Sequence, residues 1–244
     1  MIRFTCIALF VVIFLIVSLP IQLVEYFIGK SNPELRDRSS LAIVNWAFRV
    51  VLFMAGTSVT VLGEENIPKD EAVLYVGNHR SYFDILLTYI RVPGPTGYMA
   101  KVEMLRYPSL CTWMRYLHCI FLDRTDIKAG MKSILNAIDK IKSGISICIF
   151  PEGTRNKTSE ILLEFHDGSF KIAEKSGCPV VPISINNAGA IFEDHLPKIK
   201  KAHVVIEYGK PIYVKNLSKE ERRRISPMVQ EIIKNNYIKN KDLV

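Results

Sequence analysis

His79 and Asp84 are the residues of this chain best suited to do chemistry. They lie in Asn78-His79-Arg80-Ser81-Tyr82-Phe83-Asp84, between the apolar runs Ala72-Val73-Leu74-Tyr75-Val76 and Ile85-Leu86-Leu87-Thr88-Tyr89-Ile90. A strand ending at the histidine and a helix with the aspartate in its first turn would bring imidazole and carboxylate together. That join falls at a strand's carboxyl end, where open α/β sheets form their sites. A histidine held by a carboxylate is a general base of fixed tautomer, and its ordinary pKa of about 6.5 leaves it mostly neutral at pH 7. Such a pair suits deprotonation of an alcohol. The competing assignment for Asp84 is a helix capping box with Ser81, in which each side chain satisfies a backbone donor at the other residue. Capping leaves His79 unexplained.

A second group follows the very apolar run Ile145 to Phe150, so that Glu152, Gly153, Thr154 and Arg155 also fall at the carboxyl edge of a strand. Gly153 lets the backbone approach a ligand closely, and Arg155 offers a planar fork matched to phosphate oxygens. Glu152 either accepts from a substrate hydroxyl or holds Arg155. The plainer assignment is a surface turn with a salt bridge. Lys101 closes one short strand and Phe121-Leu122-Asp123-Arg124 closes another, so Lys101, Arg124 and Arg155 stand at three strand ends and suit a phosphate monoester dianion. Direct attack of a substrate hydroxyl on a carbonyl would use His79 as base and Asp84 as its orienting partner. Backbone amides after His79, or in the loop at Gly153, are the candidate oxyanion donors.

Asn-His, four residues and then Asp resembles the hallmark of the 1-acyl-sn-glycerol-3-phosphate acyltransferase family of glycerolipid and lysophospholipid acyltransferases. Phe150-Pro151-Glu152-Gly153-Thr154-Arg155 resembles its second hallmark, in the family's order. Lys101 and Asp123-Arg124 match the opening and end of an intervening block, although Leu117-His118-Cys119 replaces a glycine typical of the family. Val180-Val181-Pro182-Ile183-Ser184-Ile185 resembles a fourth, structural block, with Pro182 expected at an edge or a bulge. The resemblance implies an enzyme that moves a fatty acyl chain from acyl-CoA or acyl-acyl carrier protein (acyl-ACP) to lysophosphatidic acid, giving phosphatidic acid. It assigns catalysis to His79 and Asp84 and acceptor binding to Lys101, Arg124, Glu152, Gly153, Thr154 and Arg155, with no metal and no cofactor beyond the acyl donor. Glycerol 3-phosphate or another lysolipid is the alternative acceptor. Outside the enzymes, the alternative is a membrane-anchored protein that only grips lipid phosphates.

The sequence of 244 residues can hold one large domain with a membrane-attachment segment. Its composition, 49% hydrophobic and 23% charged, is that of a globular core with an apolar excess near the N-terminus. The net charge of +8 implies an anionic partner, and the apolar N-terminus favours membrane lipid over nucleic acid. The five cysteines are scattered and mostly inside apolar runs, without a Cys-x-x-Cys pair, and read as reduced residues. The Gly-x-Ser-x-Gly elbow, the Walker loop, the dinucleotide glycine pattern and the His-Glu-x-x-His helix are all missing.

Residues Phe4 to Val24 form an apolar segment broken by Ser18, Pro20 and Gln22. Its length is compatible with a full span or with insertion in one leaflet, and it exceeds a signal peptide's apolar core. A polar link from Ser31 to Ser40 precedes a second stretch, Leu41 to Ala55, where Asn45 and Arg49 share a helical face. Beyond Ser58, strand and helix alternate, the signature of an α/β fold with a largely parallel central sheet flanked by helices. Strands are expected at Ser58 to Leu62, Ala72 to Gly77, Gly97 to Lys101, Cys119 to Asp123, Ile145 to Phe150, Val180 to Ile185 and His203 to Tyr208. Helices are expected at Ile85 to Arg91, Met104 to Leu117, Ala129 to Lys142, Ser169 to Ser176 and Lys219 to Asn236. The expected organisation is a two-helix membrane-docking segment over 1–56 and an α/β domain over 57–244. Lys30, Arg36 and Arg38 after the first segment, with the source of the donors, place that domain on the cytoplasmic face of a bacterial inner membrane.

Overall fold

A computed structural model describes residues 1–123 and 125–244. Two long helices open it: α1, Ile2–Ser31, and α2, Pro33–Ala55. Both are long and apolar enough to cross a membrane by length and composition. Pro20 lies inside α1 without ending it. The expected polar link shrinks to Asn32. Its side chain accepts from Leu35 N at 3.0 Å and Pro33 takes the first helical position, so the second helix starts at once and carries the charged residues in its first turns.

The α/β body contains strands β1 (Ser58–Leu62), β2 (Leu74–Gly77), β3 (Thr96–Lys101), β4 (Ile120–Leu122), β5 (Ser146–Ile149), β6 (Pro179–Asn186), β7 (His203–Tyr208) and β8 (Ile212–Tyr213). Its helices are α3 (Phe83–Tyr89), α4 (Pro108–Tyr116), α5 (Ile127–Lys142), α6 (Lys171–Ser176), α7 (Lys219–Arg223) and α8 (Ile225–Lys239). One sheet runs β1-β7-β6-β2-β5-β3-β4, with β8 beside the start of β6. Strands β6, β2, β5, β3 and β4 are parallel, whereas β7 and β8 pair antiparallel with β6, and β1 follows β7. The parallel part therefore delivers the ends of β2, β3, β4, β5 and β6 to one edge.

Alternation along the strands separates two cores. Val73 and Tyr75 face a cluster with Leu87 of α3, Val51 of α2 and Trp113 of α4, while Leu74 and Val76 face Ile138 of α5, Ile172 of α6 and Val229 of α8. Every residue of β6 is buried. Its Val and Ile side chains each contribute roughly 1.5–3 kcal/mol by leaving water. Pro182 sits neither at an edge nor in a bulge. On the antiparallel side, β6 pairs with β8 at Pro179 and Val180 and with β7 from Ile183 onward, and Pro182 lies where the partner changes. Two of the expected helices are divided. Pro108 splits Met104 to Leu117 into a 3₁₀ turn, Val102–Arg106, and α4, and Arg224 separates α7 from α8.

The polar residues that interrupt the apolar run of α1 dock it. Ser18, Gln22 and Glu25 are buried; Trp113 Nε1 donates to Ser18 Oγ at 3.0 Å, and Gln22 Nε2 donates to Ser109 O at 2.9 Å. Tyr116 Oη donates to Gln22 O at 3.0 Å. At the end of α4, His118 adopts a left-handed φ of 59°, which glycine would take freely, and its Nε2 lies 2.7 Å from Asp37 Oδ2 of α2. That turn brings the His118 carbonyl against β3, where a Cβ on Gly97 would stand 2.3 Å from His118 O. Gly97→Ala is therefore expected to destabilise by about 3 kcal/mol, lowering the apparent Tm by roughly 6–12 °C. Thermal melts of purified protein in detergent check this, and a Tm within two degrees of wild type, about half a kcal/mol, would contradict it.

Candidate active site

Asn78 follows β2 with a side chain that behaves as one more peptide unit. Its Nδ2 donates to Ile185 O at 2.9 Å and its Oδ1 accepts from Ile185 N at 2.8 Å, which extends the pairing of β2 with β6 past the last strand residue. The backbone of His79 is held on both sides: its N–H donates to Glu152 Oε1 at 2.7 Å and its carbonyl accepts from Asn156 N at 2.7 Å. The imidazole stacks on Phe150, with centroids 4.4 Å apart and planes 15° from parallel. His79 Nδ1 lies 2.8 Å from Asp84 Oδ2. A carboxylate only accepts, so Nδ1 carries the proton and Nε2 is the basic nitrogen.

Asp84, in the first turn of α3, is only 1% exposed. Its Oδ2 also accepts from Arg80 N and Ser81 N, both at 2.7 Å. The capping-box and base-orienting assignments thus converge on one oxygen. The reciprocal half of the box is missing: Ser81 Oγ accepts from Phe83 N at 3.0 Å and donates to Glu193 Oε2 at 2.5 Å.

The backbone amides after His79 are not available as oxyanion donors. Those of Arg80 and Ser81 are bound to Asp84, that of Tyr82 to Glu193 Oε1, that of Phe83 to Ser81 Oγ, and that of Asp84 to Ser81 O. Gly153 N donates to Phe150 O at 3.0 Å, closing a tight turn in which Gly153 takes φ 70°, and its amide is also engaged. Among the described residues, the amides of Thr154 and Arg155 meet no acceptor.

Glu152 does not hold Arg155. It is 4% exposed, its oxygens accept from His79 N and from Leu163 N at 2.9 Å, and the pairing expected of it goes to Glu193 instead. Arg155 Nη1 donates to Glu193 Oε1 at 3.0 Å, its Nη2 donates to Tyr82 Oη at 2.9 Å, and its guanidinium carbon lies 3.6 Å from the centre of the Tyr82 ring. Thr154 is exposed beside it, and Lys101 is exposed at the end of β3. Lys101 meets no acidic partner among the described residues. Arg124, expected in the same phosphate-binding group, lies outside the described residues. Cys148 is buried beneath the site, and burial pushes its thiol well above the ordinary range, so it is held as the unreactive protonated form. No group of three or more His, Cys, Asp or Glu side chains among the described residues is placed to hold a metal ion.

The acyltransferase family model matches residues 58–186, which carry both hallmarks and the strand after them. The chain belongs to the acyltransferase family. Among curated members of this family, the 1-acyl-sn-glycerol-3-phosphate acyltransferase of Borreliella burgdorferi is 30% identical over 196 residues, covering 80% of this chain and 78% of the relative. A probable 1-acyl-sn-glycerol-3-phosphate acyltransferase of Mycoplasma pneumoniae is 32% identical over 187 residues, covering 75% of this chain and 67% of the relative. The acyltransferase fold is shared with the crystal structure of the LPA acyltransferase PlsC from Thermotoga maritima, with a TM-score of 0.72, 26% identity, and coverage of 92% of this chain and 97% of that one.

Within this acyltransferase site, burial raises the Glu152 carboxyl above its ordinary 4.5, against hydrogen bonds from Leu163 and His79 that lower it. The folded protein then binds this proton at a higher pH than the unfolded chain does. The cost of keeping Glu152 ionised is fully present above the folded pKa and is relieved as pH falls toward 4.5. Glu152→Gln removes that slope from a series of melts across pH. It also sets an NH2 against one of two backbone N–H donors, and is expected to cost about 1–3 kcal/mol and at least about tenfold in kcat. Full activity with an unchanged pH profile of stability would contradict the bracing role.

Proposed function

We propose that this protein transfers a fatty acyl chain to the sn-2 hydroxyl of 1-acyl-sn-glycerol 3-phosphate, forming phosphatidic acid, with acyl-CoA or acyl-ACP as donor. The single observation that carries this reading is the His79–Asp84 pair, whose basic Nε2 stands at the sheet edge that also carries Arg155. His79 Nε2 removes the hydroxyl proton as the acceptor oxygen bonds to the thioester carbonyl carbon. The C–S bond then breaks, and the proton held by His79 passes to the departing thiolate. Asp84 steadies the imidazolium between these steps. Arg155 retains free N–H donors for the acceptor phosphate, and Lys101 adds a second cation from β3.

The names of the relatives support the choice of acceptor. The apolar surface of α1 and α2 suits a lipid acceptor delivered from the bilayer, and the basic balance of the chain suits anionic headgroups. We assign the catalytic body to the cytoplasmic face of a bacterial inner membrane, where thioester donors are made and where Lys30, Arg36 and Arg38 follow the first apolar helix.

Thiol release from acyl-CoA by protein in detergent, with and without lysophosphatidic acid, tests the reading, with product mass measured in parallel. Acceptor-dependent release and phosphatidic acid are expected from wild type, and a loss of about 10³-fold or more in kcat from His79→Ala. A His79→Ala protein as active as wild type would dismiss His79 as the base. No turnover with acyl-CoA, with acyl-ACP, or with glycerol 3-phosphate as acceptor would leave only a lipid-phosphate-binding role.

A further inference from the structure

Glu193 belongs to neither hallmark. It lies in the 3₁₀ turn Glu193–His195 beyond β6, with a side chain only 12% exposed. Its Oε1 accepts from Tyr82 N at 2.8 Å and from Arg155 Nη1 at 3.0 Å, and its Oε2 accepts the Ser81 hydroxyl at 2.5 Å. One carboxylate therefore grips both the turn between His79 and Asp84 and the guanidinium that follows Gly153. Tyr82 closes the arrangement, stacking on Arg155 and accepting from its Nη2 at 2.9 Å. A guanidinium has five N–H donors, and holding two of them fixes the plane in which the rest are presented.

We infer that Glu193 is a positioning residue that sets the spacing between the phosphate-binding fork of Arg155 and the base His79. The inference rests on the acyl-transfer reading above. Two effects of the carboxylate oppose each other, and their separation makes the role measurable. Its negative charge beside Arg155 repels an anionic acceptor and so weakens ground-state binding. Its hydrogen bonds hold Arg155 and the Ser81–Tyr82 turn in one geometry, which acts on the orientation of the bound hydroxyl toward Nε2 and therefore on kcat. Deleting the group should lower kcat while tightening the acceptor. General structural damage does the reverse, reducing activity together with the folded fraction and leaving the acceptor KM unchanged or raised.

The test uses the full chain in detergent with lysophosphatidic acid and acyl-CoA, measuring kcat and acceptor KM for wild type, Glu193→Ala and Glu193→Gln. Glu193→Ala is expected to lose at least about tenfold in kcat while its acceptor KM falls at least about twofold. Glu193→Gln keeps an oxygen for Tyr82 N–H and Arg155 but not the charge. It should recover kcat to within about threefold of wild type with the lowered KM retained. If the alanine variant does not fold, the glutamine variant carries the test through its acceptor KM and through inhibition by glycerol 3-phosphate, which should tighten in step. An acceptor KM at or above that of wild type in the folded variants, or a glutamine variant no better in kcat than a folded alanine one, overturns the inference and leaves the acyl-transfer reading intact. A wild type that turns over no acceptor overturns both.

Discussion

Asp84 Oδ2 is the atom on which the site depends. A carboxylate that is 1% exposed is costly to bury unless donors surround it, and this oxygen receives three: His79 Nδ1, Arg80 N and Ser81 N. Satisfying it wraps the chain around the start of α3 and pins the imidazole in the same act. The His79 imidazole is therefore oriented by one of the donors that this buried oxygen gathers. The neighbouring amides follow the same logic. Each N–H from His79 to Asp84 has an acceptor in Glu152, Asp84, Glu193 or Ser81, so the turn has little freedom left.

Local features of the fold are legible in the chain, because strand, helix and turn signals are properties of neighbouring residues. The bounds expected for Ser58 to Leu62 and His203 to Tyr208 match β1 and β7, the other expected strands shift by one or two residues at their ends, and the two-residue β8 has no counterpart among them. The pairing of His79 with Asp84 was legible for the same reason, since both lie within one strand-to-helix join. What escaped the sequence was long range. Glu193 reaches the site because the 3₁₀ turns Ala188–Ile191 and Glu193–His195 after β6 fold back over α3, and no spacing along the chain encodes that return. Of the two roles open to Glu152 in the sequence, proximity along the chain suggests the one with Arg155, whereas burial turns the carboxylate inward to two backbone amides. Pro108 is a local signal of the break before α4. A proline at a first helical position marks a new helix start, and α4 begins there.

Polar residues inside α1 have a meaning that apolar length conceals. Ser18 and Gln22 interrupt the hydrophobic run, and taken alone they weaken it as a membrane segment. In the folded chain they face α4 and exchange hydrogen bonds with Trp113, Ser109 and Tyr116, so the interruption is a docking stripe. The apolar side chains around them, including Leu19, Leu23 and Phe27, stay exposed and are left for lipid. His118 completes the attachment. Its left-handed backbone would be easier for glycine, and the contact with Asp37 of α2 is what the larger side chain adds.

The attachment reaches the chemistry itself. Phe4, near the start of α1, stacks on Phe192 with centroids 5.6 Å apart, and Phe192 is the residue before Glu193. The same turn thus touches α1, the Arg155 guanidinium, and the loop that orients His79. A lipid acceptor presents its phosphate at the bilayer surface and its tail within it, so headgroup and hydroxyl heights are set by the membrane. A site serving such a substrate must hold its phosphate fork and its base at matching heights above that surface. Rigid packing of α1 on α4, and of Phe4 on Phe192, links those heights to the fold. The hairpin is accordingly a structural part of the acyltransferase site as well as its anchor.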